Sequence, residues 1–341
     1  MSNKEIYNKN RFSQLPWIEK YRPTRTQTLL LSDQIRDKID SYISNKNIPN
    51  MLLTGSPGVG KTSTIRCIAL ELYGKYYSKY VLEINASDDR GIKSVQNDII
   101  SFCKNKLCYA KDDTDKYPTF KLIIMDEADN MIERAQQQIN TLMETYMDGI
   151  RFAFTSNNSS EIIESIQSKC MIFRYMGLRS EHIVKRLEDI CMIEKVSYDK
   201  SALKYLSDMS EGDMRNSINM LQLLYNKSGC ARMKYIDELC DLPQPYMIRD
   251  MFDCIIKCDA KSAFSIANNL RDDGYGGYDI MLGMIHTLKN DICSHIPEDI
   301  KIILLEPICM SAYKISKGVD SMLQIIGTIA ELILILEAYK S

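Results

Sequence analysis

Apolar and polar positions divide the chain into two regimes. Up to about residue 176, short buried runs alternate with helical periodicity; beyond it the pattern is helical throughout. Met51-Leu52-Leu53-Thr54, preceded by Pro49-Asn50, predicts a buried strand. Ile65, Ile68, Ala69 and Leu72 recur at i, i+3, i+4 and i+7 and predict an amphipathic helix. Lys121 to Met125 predicts a second buried strand, ending in Asp126-Glu127. Between them, Val95, Ile99, Ile100, Phe102 and Cys103 read as a helix facing mainly the core, followed by Leu107, Cys108 and Tyr109 and a polar loop at 111–116. After Met176-Gly177, Ser180 is expected to cap a helix through Ile183, Leu187 and Ile190, and Asp199 one through Leu203 and Leu206. A third runs from Met214 through Ile218 and Leu221. Five further helices are predicted near 247–258, 260–271, 278–290, 299–316 and 320–339. The most apolar stretch, Met322 to Leu336, is interrupted by Gln324, Gly327 and Glu331; it reads as a helix buried between helices, short of a membrane span. The expected fold is α/β, a parallel sheet flanked by helices, followed by all-α parts. The domains are placed at 1–176, 177–232 and 233–341.

Composition narrows the function classes. In 341 residues, 43 Lys+Arg oppose 45 Asp+Glu for a net charge of −2, which excludes a uniformly basic nucleic-acid coat; any DNA contact must be local. Residues 1–25 are the basic exception, with Lys4, Lys9, Arg11, Lys20, Arg22 and Arg25 against Glu5 and Glu19. With 45% hydrophobic residues and only 15 Gly and 9 Pro, wholesale disorder and collagen are excluded. Eleven cysteines without a C-x-x-C, beside three histidines, give no zinc spacing; they read as buried reduced thiols of an intracellular, reducing compartment. The N-terminal MSNKEIYNKN has no apolar signal core. Nineteen methionines, among them Met247, Met251, Met281, Met284, Met310 and Met322, read as adaptable core.

The chemistry starts between the first strand and its helix. Gly55-Ser56-Pro57-Gly58-Val59-Gly60-Lys61-Thr62, followed by Ser63, is a complete G-x-x-x-x-G-K-[ST] phosphate loop. Its glycines let backbone amides curl around phosphates, Lys61 reaches the β/γ oxygens, and the Thr62 hydroxyl suits Mg²⁺. The positive end of the following helix points at the same anion. A nucleotide loop needs metal-side carboxylates on a second strand. Asp126 is suited to hold Mg²⁺ and Glu127 to polarise the attacking water. The implied cofactors are ATP and Mg²⁺.

Several blocks in order resemble a replication factor C small subunit, a member of the AAA+ P-loop ATPases that load sliding clamps. They are Pro16-Trp17-Ile18-Glu19-Lys20-Tyr21-Arg22-Pro23, Leu82 to Ile92, and Ala135-Gln136-Gln137-Gln138 after Asp126-Glu127-Ala128-Asp129. The resemblance implies an AAA+ core, a helical lid and a helical collar. It places Ile18 and Leu30 against the base, makes Asn157 a γ-phosphate sensor, and brings Arg215, in Gly212-Asp213-Met214-Arg215, to the γ-phosphate from the lid. It implies a hetero-pentamer of loader subunits, a sliding-clamp partner, primer-template DNA held through its backbone, and a nuclear or replication-site location, with no membrane. Arg90 and Lys93, at a helix start, suit DNA phosphates, and the clamp-facing surface falls near Phe102 and Tyr109.

One departure stands out. Where the family has Ser-Arg-Cys, this chain has Ser168-Lys169-Cys170, so the position of the finger offered to the neighbouring ATP site is lysine. Lysine lacks the planar fork of arginine. Ser165 stands where the family has proline. Two other functions fit the same nucleotide loop: a nucleotide-bound structural subunit with little turnover, and a ring-type AAA+ DNA motor.

Overall fold

The computed structural model describes residues 15–86, 99–105, 107–109, 116–236, 243, 245–289 and 296–340. The chain divides into two compact units, Met1–Arg232 and Met233–Ser341. In the first, β1 (Met51–Gly55), β2 (Val81–Asn85), β3 (Lys121–Asp126), β4 (Ile150–Ser156) and β5 (Met171–Tyr175) form one parallel sheet in the order β2-β3-β4-β1-β5.

The inner strands β1, β3 and β4 are buried almost throughout because both faces of the sheet are covered there, whereas the edge strands β2 and β5 are only partly buried. Leu53, Leu122 and Ile124 point to one core, against Ile39 of α1 (Asp33–Ser44) and Ile65, Ile68 and Leu72 of α2 (Lys61–Tyr73). The alternate residues Leu52, Ile123, Met125, Phe152 and Phe154 point to the other, against Ile139, Leu142 and Met143 of α3 (Glu133–Thr145). Each such buried side chain contributes about 1.5–3 kcal/mol relative to exposure. Because β1 lies between β4 and β5, the crossovers diverge around its carboxyl end, where open α/β sheets bind their ligands. The predicted second strand ends one residue early: β3 stops at Asp126, and Glu127 turns into the left-handed region at φ 55.

The lid is built from α4 (Ser180–Glu194), α5 (Lys200–Met209) and α6 (Met214–Ser228), with a short parallel pair, β6 (Ser197–Tyr198) and β7 (Cys230–Ala231). Arg179, not Ser180, is the N-cap of α4; the Ser180 hydroxyl instead donates to Asp208 Oδ1 at 3.0 Å. Asp199 is the N-cap of α5 without a side-chain bond, whereas Asp213 caps α6 by accepting from the backbone N–H of Arg215 and Asn216.

The second unit contains α7 (Pro245–Ile256), α8 (Ala260–Asp272), α9 (Gly277–Lys289), α10 (Glu298–Ser316) and α11 (Met322–Lys340) around one core. Gln324, Gly327 and Glu331 do not break α11. By length and composition alone this helix can cross a membrane, contrary to the expectation, yet Ile325, Ile329, Leu332, Ile333 and Leu336 are buried in the core of its own unit. Met251, Met281 and Met284 are core residues; Met310 is 52% exposed, so the adaptable-core expectation fails there. It shares an exposed face of α10 with Ile302, Leu305 and Tyr313.

Nine described cysteines are free thiols. Cys67 and Cys191 are buried, Cys108 and Cys309 are exposed, and the rest are half-buried, so burial is less general than the spacing suggested. Phe102 and Tyr109 are half-buried and packed, Tyr109 against Tyr76, Tyr80 and Tyr117.

Candidate functional site

The carboxyl ends of β1, β3 and β4 open into a cleft of about 320 Å³, within the usual size of a small-molecule site. The phosphate loop forms its floor. Gly58 and Gly60 take φ +68 and +96, values that favour glycine, and the left-handed turn at Gly60 lets α2 start at Lys61. At Gly58 space adds a second constraint, since a Cβ there would lie 1.7 Å from Asp213 Oδ1 of the lid.

Lys61 is 8% exposed, and its ammonium donates to Gly55 O (2.6 Å), Ser56 O (2.8 Å) and Asn157 Oδ1 (2.9 Å). Burial pushes its pKa down and Arg215 adds to that, while Asp129, Asp126 and Asp213 pull it up. Asn157 is fixed from behind, its backbone N–H donating to Asp129 Oδ2 at 2.9 Å. Beside the loop, Asp126 Oδ1 accepts from the Thr62 hydroxyl at 2.8 Å and from the Thr155 hydroxyl. Thr155 Oγ1 also accepts from the Glu127 N–H at 3.1 Å, so one buried hydroxyl orients both acids.

Beyond the phosphate loop the lining mixes apolar side chains suited to a flat base (Ile18, Pro23, Leu29, Leu30, Leu31 and Ile218) with Glu19, Arg22 and Arg186; Met214 and Arg215 contribute from the lid. Of the expected site residues, Ile18, Leu30, Pro57 through Ser63, Asp126, Glu127, Asn157 and Arg215 line this cleft. Gly55 and Ser56 do not; their carbonyls hold Lys61 instead. Lys169 donates to Asn140 Oδ1 at 2.5 Å and pairs with Glu144, both on α3. Arg90 and Lys93 lie outside the described residues. Sequence reasoning missed Thr155, Asp129, Asp213 and Arg186. Asp213 carried a signal, an aspartate immediately before a helix; Thr155 is an unremarkable strand residue with none.

A parallel sheet with a phosphate loop on the interior strand β1, an acid pair at the end of β3 on the far side of β4, and a helical lid defines a P-loop ATPase of the AAA+ class. Residues 51–178 match the model of the ATPase family associated with various cellular activities. Residues 185–225 match the RCF1/5-like AAA+ ATPase lid domain, and 243–331 the replication factor C C-terminal domain. The chain is 36% identical over 321 residues to a probable replication factor C subunit 2 of Dictyostelium discoideum, covering 94% of this chain and 93% of that one. It is 37% identical to a putative replication factor C small subunit of Acanthamoeba polyphaga mimivirus (94% and 97% covered), and 34% identical to replication factor C subunit 4 of Saccharomyces cerevisiae (94% and 96%). The chain belongs to the replication factor C small-subunit family. It is thus a nucleotide-binding ATPase and a clamp-loader subunit, working in a multi-subunit complex in DNA replication. Among solved structures it is similar to the Holliday junction branch migration motor RuvB of Thermotoga maritima, with TM-score 0.51 at 13% identity over 69% of this chain and 79% of that one; this likeness shows the fold alone.

Proposed function

We propose that ATP with Mg²⁺ occupies the cleft and that its hydrolysis here drives the loading of a sliding clamp onto primer-template DNA by a hetero-pentamer. The convergence of Lys61, Thr62, Asp126 and Asn157 at the carboxyl edge of the sheet carries this reading. The Thr62 hydroxyl and Asp126 carboxylate are hard oxygen donors of the kind Mg²⁺ takes, and they meet at 2.8 Å. Mg²⁺ bound there supplies charge neutralisation to the β/γ-phosphate oxygens.

In this scheme the amides of the phosphate loop and Lys61 hold the β/γ oxygens. Glu127 accepts a proton from the attacking water, and Asn157 and Arg215 contact the γ-phosphate from the core and the lid. Loss of that phosphate releases the Arg215 contact and loosens the lid, which reverses the ATP-bound assembly. The working parts are a nucleotide-binding core at 1–176, a lid at 177–232 and a collar at 233–341. The exposed apolar face of α10 supports an oligomerisation role for the last. Arg90 and Lys93 hold the DNA backbone, and Lys169 faces the neighbour's ATP site.

Glu127→Gln in the assembled loader tests the core of the scheme. ATP binding should persist while turnover at this site falls by about 10²–10⁴, so that the loader loses this site's share of its hydrolysis; an unchanged rate would leave only a structural subunit. For Lys169→Arg, DNA-stimulated hydrolysis should rise, since an arginine finger contributes about 10³–10⁵. An unchanged rate removes the trans role. Strand displacement by the purified complex would favour a ring motor instead.

A further inference from the structure

One wall of the cleft comes from a strap, residues 16–23, which lines it through Ile18, Tyr21 and Pro23 among others and is fastened at both ends. Toward the core, the Cys67 thiol donates to Pro23 O at 3.2 Å, and Thr26 donates through its N–H and hydroxyl to Glu71 Oε1 at 2.7 and 2.9 Å. Cys67 and Glu71 lie on α2, the helix that starts at the phosphate loop. Toward the lid the strap has five anchors. Trp17 N–H donates to Gln222 Oε1 at 2.9 Å, and its ring lies 5.1 Å from that of Tyr225. Lys20 pairs with Glu194, whose Oε1 also accepts from the Tyr21 hydroxyl at 2.5 Å. Arg186 donates to Tyr21 O at 2.9 Å.

Arg186 differs from the other lid anchors, because Gln222, Tyr225 and Glu194 do not line the cleft and Arg186 does. Its guanidinium is planar and always charged, so a bond to a backbone carbonyl fixes the strap at one height above the lid. Ile18 of the strap and Ile218 of the lid both line the cleft. We infer that Arg186 is a positioning residue for the nucleotide base: it clasps the strap to the lid so that the apolar slot is formed before ligand enters. Base affinity is then set by the clasp, and triphosphate affinity by the phosphate loop. This rests on the nucleotide reading of the cleft given above.

The two contributions separate with two probes on the full chain, ATP and inorganic tripolyphosphate, which has the phosphates without a base. Arg186→Ala should weaken ATP about tenfold, the scale of a charged hydrogen bond, and leave tripolyphosphate affinity unchanged, with Arg186→Lys recovering part of the loss. Glu194→Gln, which removes the charge that holds Lys20 and weakens the bond from Tyr21 while replacing no residue of the cleft lining, should act in the same direction and carries the test where Arg186→Ala does not fold. Equal loss of both probes, or unchanged ATP affinity in the folded variants, overturns the clasp. Lys61→Ala is the separate control: if it lowers neither probe, the nucleotide reading itself fails.

Discussion

Replacing Thr155 by valine isolates one hydroxyl that orients two acids. Thr155 is 2% exposed; its Oγ1 donates to Asp126 and accepts the Glu127 N–H at 3.1 Å. Valine keeps the shape of the side chain and removes both bonds. A buried amide left without an acceptor costs about 1–3 kcal/mol. In a domain of 150–250 residues each ~1 kcal/mol moves Tm by about 2–4 °C, so the first unit should melt roughly 2–12 °C lower. The same bond holds Glu127 at its left-handed backbone position, and Asp126 loses one of the two hydroxyls that orient it. Turnover should fall about tenfold or more for each ~1.4 kcal/mol of lost positioning, with more Mg²⁺ needed for half-maximal rate. Thermal melting of the purified chain and an Mg²⁺ titration of the assembled ATPase read the two effects, and Thr155→Ser should restore both. An unchanged Tm together with an unchanged Mg²⁺ requirement in Thr155→Val would refute the argument.

Asp213→Ala removes a cap that accepts from Arg215 N–H at 2.7 Å and Asn216 N–H at 3.1 Å, and should cost about 0.5–2 kcal/mol in denaturant unfolding. Gly58→Ala should weaken ATP binding, because the new Cβ meets Asp213; the loss should shrink in an Asp213→Ala background, and a strictly additive double mutant would contradict the contact. Burial alone would raise the Glu194 pKa, but the hydrogen bonds from Lys20 and Tyr21 and the Lys20 charge outweigh it and hold the carboxyl below its ordinary range. Its contribution is therefore present above the unfolded value of about 4.3 and lost as pH falls through the lower folded value. Acid titration of the fluorescence of Trp17, the chain's single tryptophan, should show release of the strap below about pH 4.3, and Glu194→Gln should abolish that step.

Legibility from the sequence followed the physics of each element. The phosphate loop and β3 were legible because each depends on a local pattern, apolar residues in one period and a fixed run of glycines, lysine and threonine. The helices α7 to α11 of the second unit were legible for the same reason, since 3.6-residue periodicity survives without knowledge of the partners. Thr155 was not, because its role exists only through the register of β4 beside β3, which brings it to Asp126. The strap-to-lid contacts were equally hidden: Trp17 and Gln222 lie 205 residues apart, and no local pattern announces that meeting. Ser180 misled because an N-cap is decided by which residue leaves helical geometry, and Arg179 does so at ψ 143. The α11 stretch was legible as a buried helix, since Gln324, Gly327 and Glu331 interrupt an apolar count but not the buried stripe that continues past them.

Lys169 joins these two levels. Its pair with Glu144 looks like a restraint on a residue proposed to serve a neighbouring subunit, but the side chains are 31% and 60% exposed. An exposed ion pair contributes about 0–1 kcal/mol, whereas the 10³–10⁵ of an arginine finger corresponds to about 4–7 kcal/mol. Releasing the lysine from α3 is therefore a small cost beside what the finger supplies. The larger difference lies in the head group, a compact ammonium against a planar fork that donates two parallel bonds to phosphate oxygens. A weak trans effect in this subunit would thus follow from the chemistry of one side chain rather than from its restraint, which is why changing Lys169 is the informative substitution and changing Glu144 is not.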